Sequence, residues 1–304
     1  MKKYILSAAM LLATGLIAGC GGSGSTASTA TSSVTGKVAD GYLVGATVFL
    51  DKNGNYQLDA GEPNTITDSS GTYTLNMDPA DVGKYPIVAL ASKGVTVDKD
   101  TNQTVANSYV LCLHAVSVTA STSGGVSGTV SNFISPMSTL VMEKIASNPA
   151  MTSTDAMTQL RNQMNLPAGI NMMADYVAGS QSGTNAAQYQ TMHTAAQQMA
   201  GIMSGQAGLV MNGTGVNVNR FRSMMGTINV NMPAIAANVA NGQGMNSTLM
   251  TSMMSNMQTQ LSSMPMSGGT VDYSSMFQNM TSHSSFWSNT GLPMNPMGSG
   301  GMMR

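Results

Sequence analysis

Thr72-Tyr73-Thr74-Leu75-Asn76-Met77 decides how the first half of this chain is read. Apolar and polar residues alternate with a period of two. That sets Tyr73, Leu75 and Met77 on one face and Thr72, Thr74 and Asn76 on the other, as in a strand with one buried side. Similar runs surround it at residues 35–38, 46–50, 86–91 and 107–118, separated by turn residues at Asp40-Gly41, Asn53-Gly54, Ser70-Gly71 and Lys93-Gly94. Short strands broken by frequent turns imply an antiparallel β-sandwich over residues 34–120.

Beyond a linker at 121–130 the composition changes. Residues 137–304 hold 27 of the 30 methionines but only seven leucines, with five basic and four acidic side chains. Apolar spacing becomes helical: Met250, Met253, Met254, Met257, Leu261 and Met264 recur at steps of three and four, lining one face of a helix that starts near Asn246-Ser247. Further helices are expected at 136–146 after Ser135, 155–164 after Thr154, 186–204 after Asn185, around 220–225, at 233–239 and at 273–286. The expected fold class is therefore β + α in two domains, a sandwich followed by a methionine-rich all-α domain over 131–290. A Gly- and Pro-containing tail at 291–304 is expected to be disordered.

Between the strand runs lies Asp51-Lys52-Asn53-Gly54-Asn55-Tyr56-Gln57-Leu58-Asp59-Ala60-Gly61-Glu62. Oxygen-bearing side chains fall at positions one, three, five, nine and twelve, and the carbonyl of Gln57 is available at position seven. Leu58 at position eight is expected to point inward. Calcium takes about six to eight oxygens at such staggered spacing. The candidate ligands are Asp51, Asn53, Asn55, Gln57, Asp59 and Glu62; the plain alternative is a polar turn that binds nothing.

Two stretches of the first half carry resemblances. Residues 34–48 (VTGKVADGYLVGATV) and 67–75 (TDSSGTYTL) resemble carboxypeptidase-regulatory-like and prealbumin-like sandwiches, which implies a non-catalytic display or binding module. The loop 51–62 resembles the calcium loops of B-type repeats in Gram-positive surface adhesins. It departs from them at position six, where Tyr56 replaces glycine. A left-handed tyrosine is strained by about 1–3 kcal/mol, which implies modest affinity, roughly 10⁻⁴ to 10⁻³ M as in extracellular modules. Farther along, residues 134–141 (ISPMSTLV) weakly resemble the entry to helical regions that follow such sandwiches in other bacterial lipoproteins.

Lys2 and Lys3 precede an apolar run of 13 residues, Ile5 to Ile17, too short to span a bilayer stably and suited to an export signal over 1–19. The run ends in Ile17-Ala18-Gly19-Cys20, which resembles the bacterial lipobox. The resemblance implies acylation of Cys20, a flexible Gly/Ser/Thr tether over 20–33 and, with Gly21 rather than Asp after the cysteine, lipid anchoring at the outer membrane.

Charge is nearly balanced, with 12 basic and 13 acidic side chains, so no basic footprint for nucleic acid exists. With Cys20 acylated, Cys112 is the remaining thiol. Catalysis is not expected: His114, His193 and His283 lie in no recognisable elbow or triad, and Glu143, Asp155, Asp175 and Asp272 are widely spaced. Cys112 and His114 share a strand face at i and i+2, where a buried thiol is the commoner outcome. Methionines fill irregular gaps; the functional alternative is Cu(I), since Met250/Met253, Met254/Met257, Met264/Met266 and Met294/Met297 have ligand-like spacing. His193 and His283 could add nitrogen ligands there or serve as surface or capping residues. A methionine-rich face with little charge also suits a protein partner or self-association.

Overall fold

The computed structural model describes residues 31–121 and 132–265. By its contacts the chain divides after Ala30, and Thr31 onward is one compact unit. The signal segment, Cys20, most of the tether, the linker beyond Ser121, the helix expected at 273–286 and the tail lie outside the described residues.

Strands come first: β1 (Ser32–Val38), β2 (Leu43–Val44), β3 (Thr47–Leu50), β4 (Asn64–Ile66), β5 (Thr72–Met77), β6 (Ile87–Ala91), β7 (Val97–Asp98), β8 (Gln103–Thr104), β9 (Tyr109–Leu113) and β10 (Asn132–Ile134). Helices α1 (Pro136–Ser147), α2 (Ser153–Gln163), α3 (Tyr176–Gly179), α4 (Ala186–Gly205) and α5 (Ala207–Val210) follow. The hairpin β11 (Met211–Asn212) and β12 (Gly215–Val216) then precedes α6 (Val218–Val230), α7 (Met232–Ala240) and α8 (Thr248–Ser263). The larger sheets have strand orders β10-β1-β5 and β4-β3-β6-β9; β2-β7-β8 and β11-β12 are small.

In β5 the expected alternation is realised, with Tyr73, Leu75 and Met77 buried and Thr74 and Asn76 exposed. It pairs antiparallel with β1, from Ser32 opposite Met77 to Lys37 opposite Thr72. In β6 and β9 every residue is buried, which a strand achieves only when both faces are covered; α1 packs along β9. The run expected over 107–118 is strand only at Tyr109–Leu113, because His114 then caps a single 3-10 turn, Ala115–Ser117.

One pairing departs from the all-antiparallel expectation. β10, within the stretch assigned to the helical domain, joins β1 in parallel, with Gly36, Lys37 and Val38 opposite Asn132, Phe133 and Ile134. Parallel strands need a long crossover, and the rest of the strand region supplies it. Asn132 Nδ2 donates to Thr35 O and Thr119 O, which fixes the register. A Cβ at Gly36 would stand 1.9 Å from Asn132 O, so only glycine fits there.

Helix starts follow local chemistry. Ser135 caps α1 through a capping box with Ser138, and Pro136 takes the first turn. Ser138 Oγ also donates to Cys112 O (2.6 Å) and Thr139 Oγ1 accepts the Cys112 N–H (2.8 Å), tying the helix entry to β9. α2 begins two residues earlier than expected, since Thr152 and Asp155 form its capping box. α8 starts at Ser247 as its cap and buries Met250, Met253, Met257 and Leu261, the expected face.

Strands and helices share one apolar core, continuous from Val34, Leu75 and Leu111 through Leu140 and Met199 to Met257 and Leu261. Compositional change at residue 130 is thus a change of side-chain vocabulary within one core, methionine filling gaps that leucine fills elsewhere. Among the described residues, no helix is long and apolar enough to cross a membrane. A shared core predicts a single cooperative unfolding transition. Strand and helix signals in circular dichroism should be lost together, and Leu140→Ala, removing a fully buried side chain, should lower the stability of both by about 2–5 kcal/mol. Two separated transitions, with only the helical one shifted, would contradict this.

Candidate functional site

The loop between β3 and β4 is built on the carboxylate of Asp51, which is fully buried. Its Oδ1 accepts the N–H of Gly54 (2.8 Å) and its Oδ2 the N–H of Tyr56 (2.9 Å). Asn53 Oδ1 accepts from Asn55 N–H (3.1 Å) and Asn55 Oδ1 from Gln57 N–H (2.8 Å), two successive Asx turns. Glu62 closes the far end, accepting Lys52 N–H on Oε1 (2.7 Å) and Asp59 N–H on Oε2 (3.0 Å). Asn53 and Asn55 each donate through Nδ2 to Asp59 Oδ2 at 2.7 Å. These amides bring to Asp59 the positive ends that a cation would bring, and each Asn Oδ1 keeps a lone pair beyond its backbone contact.

The oxygens of the loop are of the hard type that calcium takes. Three carboxylates stand in one turn, and the nearby cation turns elsewhere: Lys52 Nζ pairs with Asp81 at 2.7 Å. Among the described residues no group of three or more His, Cys, Asp or Glu side chains is placed to hold a metal. A cation in this loop would therefore need Asn amide and backbone oxygens beside the carboxylates, a shell calcium accepts and a softer metal does not. Gln57 contributes no side-chain hydrogen bond to the turn; its Oε1 would stand 3.1 Å from a Cβ at Gly215 in the β11–β12 hairpin.

Position six resolves differently from expectation. Tyr56 does adopt the left-handed conformation, φ 61°, and Gly54 does so as well, φ 74°. The ring then turns out of the loop and into the helices, 1 % exposed, 4.8 Å from the Phe221 ring of α6. Its hydroxyl donates to Glu143 Oε1 of α1 at 2.5 Å, and Glu143 Oε2 lies 3.8 Å from Arg222 Nε. Left-handed strain of about 1–3 kcal/mol is offset by burial of a large side chain, on the order of 1.5–3 kcal/mol. Leu58, expected inward, is 41 % exposed, because Tyr56 occupies the inward role. Burial pushes the Glu143 carboxyl up, against the lowering effect of Tyr56 and Arg222. Burial, with Glu143 adding, also holds the Tyr56 phenol well above its usual range.

A second polar cluster joins the turn after β1 to α4. Asp40 is 8 % exposed; its Oδ2 accepts the Tyr109 hydroxyl (2.8 Å), and its Oδ1 has no hydrogen-bond partner. Asp98 and Asp100 crowd the same turn: a Cβ at Gly41 would meet Asp100 Oδ2 at 2.4 Å and Asp98 Oδ1 at 2.6 Å. Asp100 Oδ2 is held by His193 Nε2 (2.6 Å) and Gln197 Nε2 (2.7 Å). Burial first, with Asp98 and Asp100 adding and the Tyr109 bond opposing, raises the Asp40 carboxyl to about 7.

Other candidates find structural places. Cys112 is sealed in the core, its thiol pushed well up by burial and by the charges of Glu143 and Asp51. His114 Nδ1 accepts the Val116 N–H, and burial lowers its pKa. His193, expected at the surface or in a cap, is 7 % exposed and stacks 5.7 Å from Tyr176. Asp155 and Asp175 cap helices. Of the copper pairs, Met250, Met253 and Met257 lie in the core, whereas Met266, Met294, Met297, His283, Asp272 and Cys20 lie outside the described residues. Sequence reading missed the Tyr56–Glu143 and Asp40–Tyr109 contacts, which span 87 and 69 residues; a tyrosine at a glycine position was the available signal for the first.

Compared with models of protein families, with curated proteins and with solved structures, the chain has no match.

The Asp40 cluster sets a pH dependence. Folded Asp40 keeps its proton up to a pH of about 7, whereas an unfolded Asp loses it near pH 4. Stability from this group is therefore full in acid and falls as pH rises from about 4 to about 7. Asp40→Asn, which mimics the protonated acid, should gain stability relative to wild type as urea melts move from pH 5 to pH 8. A difference that is constant across that range would show that Asp40 does not titrate there.

Proposed function

We propose that the mature protein is a lipid-anchored extracytoplasmic component at the outer membrane, non-catalytic, whose calcium-stabilised β-layers carry a methionine-rich helical domain that meets a protein partner or a second copy through its uncharged outer surface. The observation that carries the calcium part is the Asp51 carboxylate. It organises a turn on which Asn53, Asn55, Asp59 and Glu62 gather, with no lysine or arginine of the described residues paired to their carboxylates. Sheets β10-β1-β5 and β4-β3-β6-β9, which touch through β4 and β5 and through β9 and β10, support a sandwich as the carrier of the loop.

The anchor rests on the sequence: Lys2, Lys3, the apolar run and Ile17-Ala18-Gly19-Cys20 agree with one another. Two acyl chains suffice for stable attachment, as each buried methylene contributes about 0.8 kcal/mol. The Cu(I) alternative draws no support from α8, whose ligand-spaced methionines pack inward. For partner binding, the exposed surface of α8 offers Thr251, Ser252, Ser255, Asn256, Gln258 and Thr259, hydroxyls and amides without charge.

Calcium bound only to the folded loop stabilises by RT ln(1 + [Ca]/Kd). Chelation should lower the melting temperature, and the Asp51→Ala, Glu62→Ala double variant should no longer respond; a wild type indifferent to chelator and to added calcium would reduce the loop to a turn. Mass spectrometry of the membrane-extracted protein should find an N-terminal Cys20 carrying fatty acyl chains. An intact Met1, or an unmodified thiol at residue 20, would end the anchor reading.

A further inference from the structure

The geometry points to Tyr56 as a coupling element that transmits calcium occupancy of the loop to α1 and α6, making the helical half calcium-responsive. This rests on the calcium reading of the loop and goes beyond it, since a bound ion could rigidify its own turn and nothing more. Three observations carry the step. Tyr56 is held by the loop itself, its N–H on the buried Asp51 carboxylate, at the left-handed position between Asn55 and Gln57. Its side chain belongs to the helices, 1 % exposed, ring against Phe221 and hydroxyl on Glu143. Glu143 is itself fully buried and faces Arg222 from α6, so one residue of the loop meets a contact shared by both helices.

The backbone setting of residue 56 and the placement of its ring are therefore one variable. Fixing Asp51 and Asn55 fixes φ at Tyr56, and with it the angle at which the ring enters the helices; loosening the loop frees both. Two sites joined by such an element share a coupling free energy, and the coupling is reciprocal: whatever binds the helical half and orders α1 and α6 tightens calcium in the loop. A glycine at position six would serve the loop alone.

The test uses the full mature chain, with calcium itself as the probe. Calorimetry reads binding, and hydrogen exchange reads the loop 51–62 separately from α1 and α6. Wild type should bind one calcium ion and slow exchange in both helices by about five-fold or more. Tyr56→Gly should keep or tighten calcium binding and still protect the loop, while exchange in α1 and α6 ceases to respond. Should Tyr56→Gly not fold, Tyr56→Phe takes its place, with calcium affinity retained and the helical response weakened by loss of the Glu143 bond. Wild type that binds calcium and protects only residues 51–62 overturns the coupling and leaves the calcium reading standing. A helical response that survives intact in the variant also overturns it. Absence of any calcium binding to wild type removes the reading and the coupling with it.

Discussion

The fold turns on one side chain reaching across it. Tyr56 leaves a loop of the strand region and is buried between Phe221 and Glu143, residues more than eighty positions downstream. Without it, Glu143 would face Arg222 on Oε2 but its buried Oε1 would lose its donor, and a buried polar atom left without a partner costs more than the loss of an ordinary contact. Phe221 would lose its aromatic neighbour and the loop its inward anchor, since Leu58 does not reach the core. Strain at a left-handed tyrosine persists because these surroundings over-determine it.

Around this contact the seam between strands and helices is polar where it is exacting and apolar where it is forgiving. Tyr176 of α3 donates to Ala39 O (2.9 Å) and stands edge-on to Phe133, 5.0 Å away. Tyr42 donates to Asp175, which also faces Lys37 at 3.7 Å. His193 and Gln197 hold Asp100. Each such pair fixes a position, and methionine fills the space between them: Met137, Met192 and Met199 are all fully buried. An unbranched thioether adapts to whatever shape the fixed points leave. This division explains how the helical part of the core, whose buried leucines are Leu140, Leu160 and Leu261, stays continuous with the strand part.

Local chemistry was legible in the sequence and distance was not. The face of β5 and the α8 stripe follow from periodicity, and the cap at Ser135 from a Ser-Pro start, because these depend on neighbours a few residues apart. β10 was not legible: Asn132-Phe133-Ile134 is too short to show a period, and what makes it a strand is Gly36 and Asn132, 96 residues apart. The boundary near residue 130 looked like a domain border because composition changes there, yet composition records which side chains fill a core and not whether the core is shared. At the loop, oxygen spacing located the Asp51 turn, while the tyrosine at position six read only as a flaw. Its compensation lies in α1 and α6, which no local pattern could reveal.

That apparent flaw bears on how the loop would work. Glycine at position six would serve a loop whose task is to hold an ion tightly; tyrosine gives up some of that ease and gains a contact with the helices. On the calcium reading, weakened affinity brings Kd toward the concentrations met outside the cell, roughly 10⁻⁴ to 10⁻³ M. A site far tighter than its surroundings stays filled and reports nothing, whereas one near the ambient level changes occupancy as calcium changes. On that reading the residue that shapes the loop and the ring that would carry a change into α1 and α6 are the same one, so transmission would be lost by a single reversion to glycine.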